Sequence, residues 1–141
     1  MNSLRKRKRV RFERLNFLML QTEKWLGVNN ERRVVAAFNE EYPWENKIPW
    51  LKEVRKATPK EDSEGIDVVF ATDVGDIGLQ VKSSENARER FVGRQVDGEI
   101  DLNIIPVFVS PSYTAGDICR IIMPLVAVER KRRTACNLRR C

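Results

Sequence analysis

The stretch from Ile66 to Lys82, IDVVFATDVGDIGLQVK, constrains the fold more than any other part of the chain. Two runs rich in β-branched and aromatic residues flank DVGD, and such runs around a short glycine-containing turn read as a β-hairpin. Side chains along a strand alternate between faces. On the second strand Ile77, Leu79 and Val81 share one face, and Gly78, Gln80 and Lys82 the other. On the first, Ile66, Val68 and Phe70 share one face, and Asp67, Val69 and Ala71 the other. If Thr72 faces Ile77 across the turn, Asp67 pairs with Lys82 and Val69 with Gln80. Opposed residues of an antiparallel pair point the same way, so Asp67, Gln80 and Lys82 converge. An odd-length loop or a bulge would shift this register. A cross-strand Asp–Lys pair is ordinary on a solvent face. Here the face also carries Val69, Ala71 and Gly78, so a charged pair must be compensated or functional.

The rest of the chain supplies the partners of this hairpin. Apolar positions in 12–26 predict a first helix, closed by Gly27. Residues 30–42, NERRVVAAFNEEY, predict a second, with Asn29 or Asn30 as its cap. Val34, Val35 and Phe38 form its apolar face, with Glu31 at the edge. LKEVRKAT (51–58) reads as a strand and PKEDSEG as a turn-rich acidic connection. SSENARERFVGRQV reads as a helix capped by Ser83 or Ser84. NIIPVFVS is a short strand whose Pro106 requires an edge or end position. YTAGDICRIIMPLV reads as a last helix opened by a Thr114/Asp117 capping box. Helices interleaved with strands predict α/β layers around a mixed sheet.

Charge divides the chain into a basic N-terminal arm (1–11), one domain (12–128) and a basic C-terminal tail (129–141). The arm holds Arg5, Lys6, Arg7, Lys8, Arg9 and Arg11, the tail holds six basic residues and Glu129, and acids outnumber bases between them. Basic arms track phosphates with salt-dependent affinity; solvated, solubilising ends are the other reading. There is no histidine. That excludes Ser-His-Asp and Cys-His catalysis and histidine zinc sites, and leaves carboxylates, lysine and a hard metal. The three cysteines, Cys119, Cys136 and Cys141, match no zinc spacing and read as free thiols of a reducing, cytoplasmic compartment. No apolar run approaches a membrane span, and a secretory signal is not expected.

With the hairpin, NNERRVVAAF, GIDVVFAT and LQVKSS in order along residues 29–124, the chain resembles the PD-(D/E)XK nuclease superfamily, and within it the small Holliday-junction-resolvase-like members. The resemblance implies a restriction-endonuclease-like mixed sheet flanked by helices, in α-β-β-β-α-β-α order, with an extra N-terminal helix. It implies a metal-dependent endonuclease acting on duplex or branched DNA, with a homodimer as a further expectation. Asp67 takes the place of the motif's Asp, and Gln80-x-Lys82 that of (Glu/Asp/Gln)-x-Lys. Ile66 stands where the pattern often has Pro, and Gln80 where an acid is commoner. By the same resemblance Asp67, the Gln80 side-chain oxygen, the Val81 carbonyl and Glu31 would hold Mg²⁺ or Mn²⁺. Lys82 would meet the phosphate. Glu40 and Glu41 compete with Glu31 for the helix acid. Ser83, Ser84 and Arg88 could touch a nucleic-acid backbone; helix capping and a solvated face are the alternatives.

Overall fold

A four-stranded mixed sheet carries the hairpin at its centre. The computed structural model describes residues 29–41 and 48–139; the predicted 12–26 helix, the Arg5–Arg11 arm and Cys141 lie outside them. Helix α1 covers residues 29–36 and runs on into a π-wound turn, Ala37–Glu41. Then come β1 (Leu51–Lys56), α2 (Pro59–Ser63), β2 (Val68–Thr72), β3 (Gly75–Lys82), α3 (Glu85–Val96), β4 (Ile105–Phe108) and α4 (Ala115–Arg139). The sheet order is β1-β2-β3-β4, antiparallel between β1 and β2 and between β2 and β3, and parallel between β3 and β4. This is the expected α/β architecture, and the element order within the described residues is the expected one apart from the short α2 between β1 and β2. Pro106 lies on the edge strand, where its missing N–H costs no ladder bond.

The core lies on one face of the sheet. Val54, Val68, Phe70, Ile77, Leu79 and Val107 pack there against Val34 and Phe38 of α1 and Ile118, Ile122 and Val126 of α4. Phe38 meets Phe70 edge to face, with centroids 4.9 Å apart. Asn30 is inside α1 rather than capping it, and its amide donates to the Val109 carbonyl (3.3 Å). Arg33 donates to the Ser110 and Tyr113 carbonyls (3.1 and 2.6 Å), which ties α1 to the segment entering α4. The other face is covered by α3, through Phe91 and the buried Gln95, whose amide donates to the Asp101 and Ile104 carbonyls (2.9 and 2.7 Å).

Three local readings change. PKEDSEG is not a bare connection: Thr58 and Glu61 form a reciprocal capping box around α2, and Arg55 holds Glu61 through both carboxylate oxygens (2.7 and 3.1 Å). The hairpin turn is Asp73–Val74, so Thr72 opposes Gly75 and Val69 opposes Gly78. Gly75, at φ 108°, is the left-handed residue that closes the turn, and Thr72 Oγ1 accepts from Val74 N–H (3.2 Å) and donates to the Gly75 carbonyl (2.6 Å). The register therefore differs by two residues from the expected one. An even shift keeps the side chains of β2 and β3 on their expected faces, and Gln80 rather than Lys82 comes alongside Asp67; Ile66, which precedes β2, instead packs over Gly78, on the face opposite Val68 and Phe70.

Third, α4 does not end near residue 126. It continues through the basic residues 129–139. Glu129 pairs with Arg132 and Arg133 along the helix, at i+3 and i+4. Arg130 grips Asp73 with two bonds (2.9 and 2.7 Å) and lies 5.1 Å from the centre of the Trp50 ring. Arg133 donates to the Asp76 carbonyl (2.7 Å). This end of the chain is thus docked on the hairpin turn. Cys119 and Cys136 are free thiols, as expected. Among the described residues no helix is long and apolar enough to cross a membrane.

Gly78 is a packing requirement. A Cβ there would lie 2.9–3.1 Å from three carbons of Ile66, the residue just before Asp67. Gly78→Ala is expected to destabilise the protein by about 1–3 kcal/mol in urea unfolding. Ile66→Ala in the same background should recover part of that loss, a coupling that independent sites would not show.

Candidate functional site

Asp67 sits where β2 and β3 part. Ile66 N–H donates to the Glu61 carbonyl (3.0 Å), so the turn after α2 aims the chain at this point. The Asp67 N–H donates to the Leu79 carbonyl (2.8 Å), and its carbonyl accepts from Ala57 N–H (3.0 Å). Its Oδ2 accepts from Val81 N–H at 2.9 Å, in the position a further strand residue would otherwise fill. The side chain is only 7% exposed.

Glu31 reaches the same carboxyl from α1. The two side chains share a hydrogen bond. Burial pushes the Asp67 carboxyl up to about 7; the Val81 N–H opposes this, and the Glu31 charge adds to it. Burial also raises Glu31, against the Asp67 hydrogen bond and the Lys56 ammonium, whose Nζ is 3.9 Å from Glu31 Oε2. Of the three helix acids considered, Glu31 meets Asp67. Glu40 is exposed on the π turn.

Asp67, Gln80 and Lys82 all line one cleft of about 600 Å³ between the α2–β2 connection and the 99–104 segment after α3. The expected convergence of these three residues is present. Lys82 Nζ lies 5.6 Å from the centre of the buried Phe91 ring. The N–H and carbonyl of one extended residue point to the same strand edge, so the Val81 carbonyl faces the Asp67 side of β3. Asp67 thus meets Glu31 on one side and Val81 on the other and shares the cleft with Gln80, whereas Glu31 itself lines a separate pocket with Val35 and Lys56; an all-oxygen set suits a hard divalent cation. Among the described residues no group of three or more Cys, Asp or Glu side chains has metal-binding geometry. A cation here would therefore depend on the amide and carbonyl oxygens as well as the two carboxyls.

Other candidate residues have local duties. Ser84 caps α3, its Oγ accepting from Ala87 N–H (3.1 Å), while Ser83 sits half-buried in the bend before it. Arg88 pairs with Glu85 (3.0 Å) and donates to the Pro106 carbonyl (3.3 Å). The cleft also holds features that strand alternation did not reveal. Its apolar part comprises Gly65, Ile66, Phe91, Ile100 and Ile104, and its lining includes Asp62, Glu64, Glu99 and Asp101 alongside Arg94. These come from three separated segments, so only their composition was legible. Lys56 was readable only as the end of β1.

No protein-family model, curated protein or solved structure matches the chain.

The carboxyl pair makes stability depend on pH with a definite sign. Asp67 titrates at about 7 in the folded chain, against about 4 when unfolded. The folded state binds more protons in that window, so stability falls as pH rises from about 4 to 7. Asp67→Asn keeps an acceptor for Val81 N–H and removes the charge. It is expected to raise stability at pH 8 by on the order of 2–4 kcal/mol and to leave pH 4 stability nearly unchanged. Denaturant unfolding across pH checks this, and a parallel slope for wild type and variant would refute it.

Proposed function

We propose that the chain is a metal-dependent nuclease that hydrolyses DNA phosphodiester bonds at the Asp67/Glu31/Gln80/Lys82 site. One observation carries this reading: the buried Asp67 carboxyl, hydrogen-bonded to Glu31 where two strands part, on the same cleft as the Gln80 amide and the Lys82 amine. The resemblance in motif and element order supports it. Such a carboxyl pair raises its own proton affinity, and a divalent cation is the natural replacement for the proton.

Asp67, Glu31, the Gln80 amide oxygen and the Val81 carbonyl would hold Mg²⁺ or Mn²⁺. The bound ion would supply Lewis-acid polarisation of a phosphate oxygen and a more acidic water. The Val81 N–H fixes the Asp67 carboxyl, so the ligand needs no reorientation. Lys82 would meet a phosphate oxygen and stabilise charge that develops on it. Lys56 keeps Glu31 towards its ionised form. The Arg5–Arg11 arm would add phosphate contacts that weaken with salt. No step calls for an imidazole, in keeping with the composition.

A second reading is a non-catalytic nucleic-acid-binding or assembly module on the same fold. Gln80 favours it, because a neutral amide holds a cation less firmly than a carboxylate.

Lys82→Ala separates the two. The variant is expected to lose at least about a hundredfold in Mg²⁺-dependent cleavage of a panel of single-stranded, duplex, flap and four-way-junction DNA. Its thermal unfolding should stay close to wild type. Equal cleavage by both proteins excludes the assignment. DNA binding with no calorimetric heat for millimolar Mg²⁺ or Mn²⁺ supports the module instead.

A further inference from the structure

The cleft is larger than a cation and two carboxyls require. Its volume of about 600 Å³ lies within the range of small-molecule sites. Its two parts differ in chemistry. At one end are Asp67, Gln80 and Lys82. Beside them is an apolar wall where Gly65, Ile100, Ile104 and the Phe91 ring edge come together. A Cβ on Gly65 would stand 3.6–3.8 Å from all three side chains, and its φ of 95° favours glycine there. The ammonium of Lys82 is only 5.6 Å from the Phe91 ring centre, so the polar and apolar parts adjoin.

The charge of the lining restricts what enters. Asp62, Glu64, Glu99 and Asp101 belong to it, and Arg94 is engaged by Glu99 at 3.0 Å. A duplex laid over such a cleft would bring the phosphates of both strands against these carboxylates. A lone nucleotide presents one phosphate, which Lys82 can take, and one flat base, which the apolar wall can take. Carboxylates at the rim can also accept from a base's exocyclic amino group.

Resting on the nuclease reading, we infer that this cleft is a pocket for one unpaired nucleotide: its phosphate at Lys82, its base against Ile66 and Ile100, which the buried Phe91 and Ile104 support from behind. The substrate class is accordingly DNA with an unpaired strand, such as a flap, a gap or an open junction, rather than continuous duplex. The base leaves its stack to enter the pocket, at a cost that is least where it has no partner to lose.

The test is binding of full-length protein, in EDTA, to an oligonucleotide carrying one 2-aminopurine, offered single-stranded and in perfect duplex. Unstacking of the reporter base is read by its fluorescence. The single strand should give a saturating rise in fluorescence and bind at least about tenfold more tightly than the duplex. Ile100→Asp should weaken that binding about tenfold or more. Leu102→Asp, which adds the same charge at a position 73% exposed and outside the cleft, should not. Ile100→Trp fills the pocket without adding charge and should also abolish the fluorescence rise. Circular dichroism establishes that each variant is folded. Equal affinity for duplex and single strand, no fluorescence rise, or equal effects of the Ile100 and Leu102 aspartates would overturn the inference. Because no metal is present, the outcome is independent of cleavage. Base insertion without hydrolysis in Mg²⁺ upholds the pocket and removes the nuclease reading, whereas hydrolysis without insertion does the reverse.

Discussion

Where β2 and β3 diverge, the Val81 amide would face the interior with no strand partner, and the Asp67 carboxylate takes it at 2.9 Å. A buried N–H left alone costs about 1–3 kcal/mol, so this bond is a condition for splitting the hairpin at all. Asp67 is fastened on its backbone as well, to Leu79 and Ala57. Holding the strands apart here requires a buried acceptor for the Val81 amide, which Asp67 supplies. The structural duty of Asp67 and the chemical one proposed for it therefore fall on the same position. They differ in charge state: an acceptor for Val81 is needed at every pH, whereas the charge is unwelcome beside Glu31.

The surroundings of that residue are built from charge used locally. Arg55 clamps Glu61 and draws its carboxyl down to about 2, which fixes α2 and, through the Glu61 carbonyl, the approach to Ile66 and Asp67. At the far end of the hairpin Arg130 and Arg133 of α4 hold the turn at Asp73 and Asp76. The hairpin is thus gripped at both ends, once by α2 and once by α4. Much of the basic charge in 129–133 serves that grip. It is less available to a polyanion than the sequence suggested, and the phosphate-tracking reading now rests more on Arg5–Arg11.

Period-two alternation made the face assignment legible, and it survived a wrong register. Placing Thr72 opposite Ile77 treated Gly75 as part of the turn's centre, whereas its left-handed backbone closes the turn instead. That moved the pairing by two residues, and parity protected the convergence of Asp67, Gln80 and Lys82. The Thr114/Asp117 capping box and the edge position of Pro106 were readable because each follows from one local requirement. The length of α4 was not, since a run of arginines looks solvated until its acceptors, Asp73 and the Asp76 carbonyl, are brought near by the fold. Glu31 was one of three candidates because helical periodicity narrows a face without fixing which acid the sheet will approach.

Gln80 gains a physical rationale from this arrangement. Burial raises Asp67 to about 7 beside Glu31, and Asp62, Glu64, Glu99 and Asp101 also line the cleft. A third carboxylate at position 80 would raise the proton affinity of the pair further and would need either a cation or more protons to be tolerated. The amide provides an oxygen donor without that charge, so the metal-free fold carries less repulsion at the point where β2 and β3 part. In the proposed metal site the same choice would weaken the pull on a divalent ion. Cation affinity there would therefore trade against the stability of the scaffold, and the Asp67–Glu31 contact, which joins the parting of the hairpin to α1, would set how far that exchange can go.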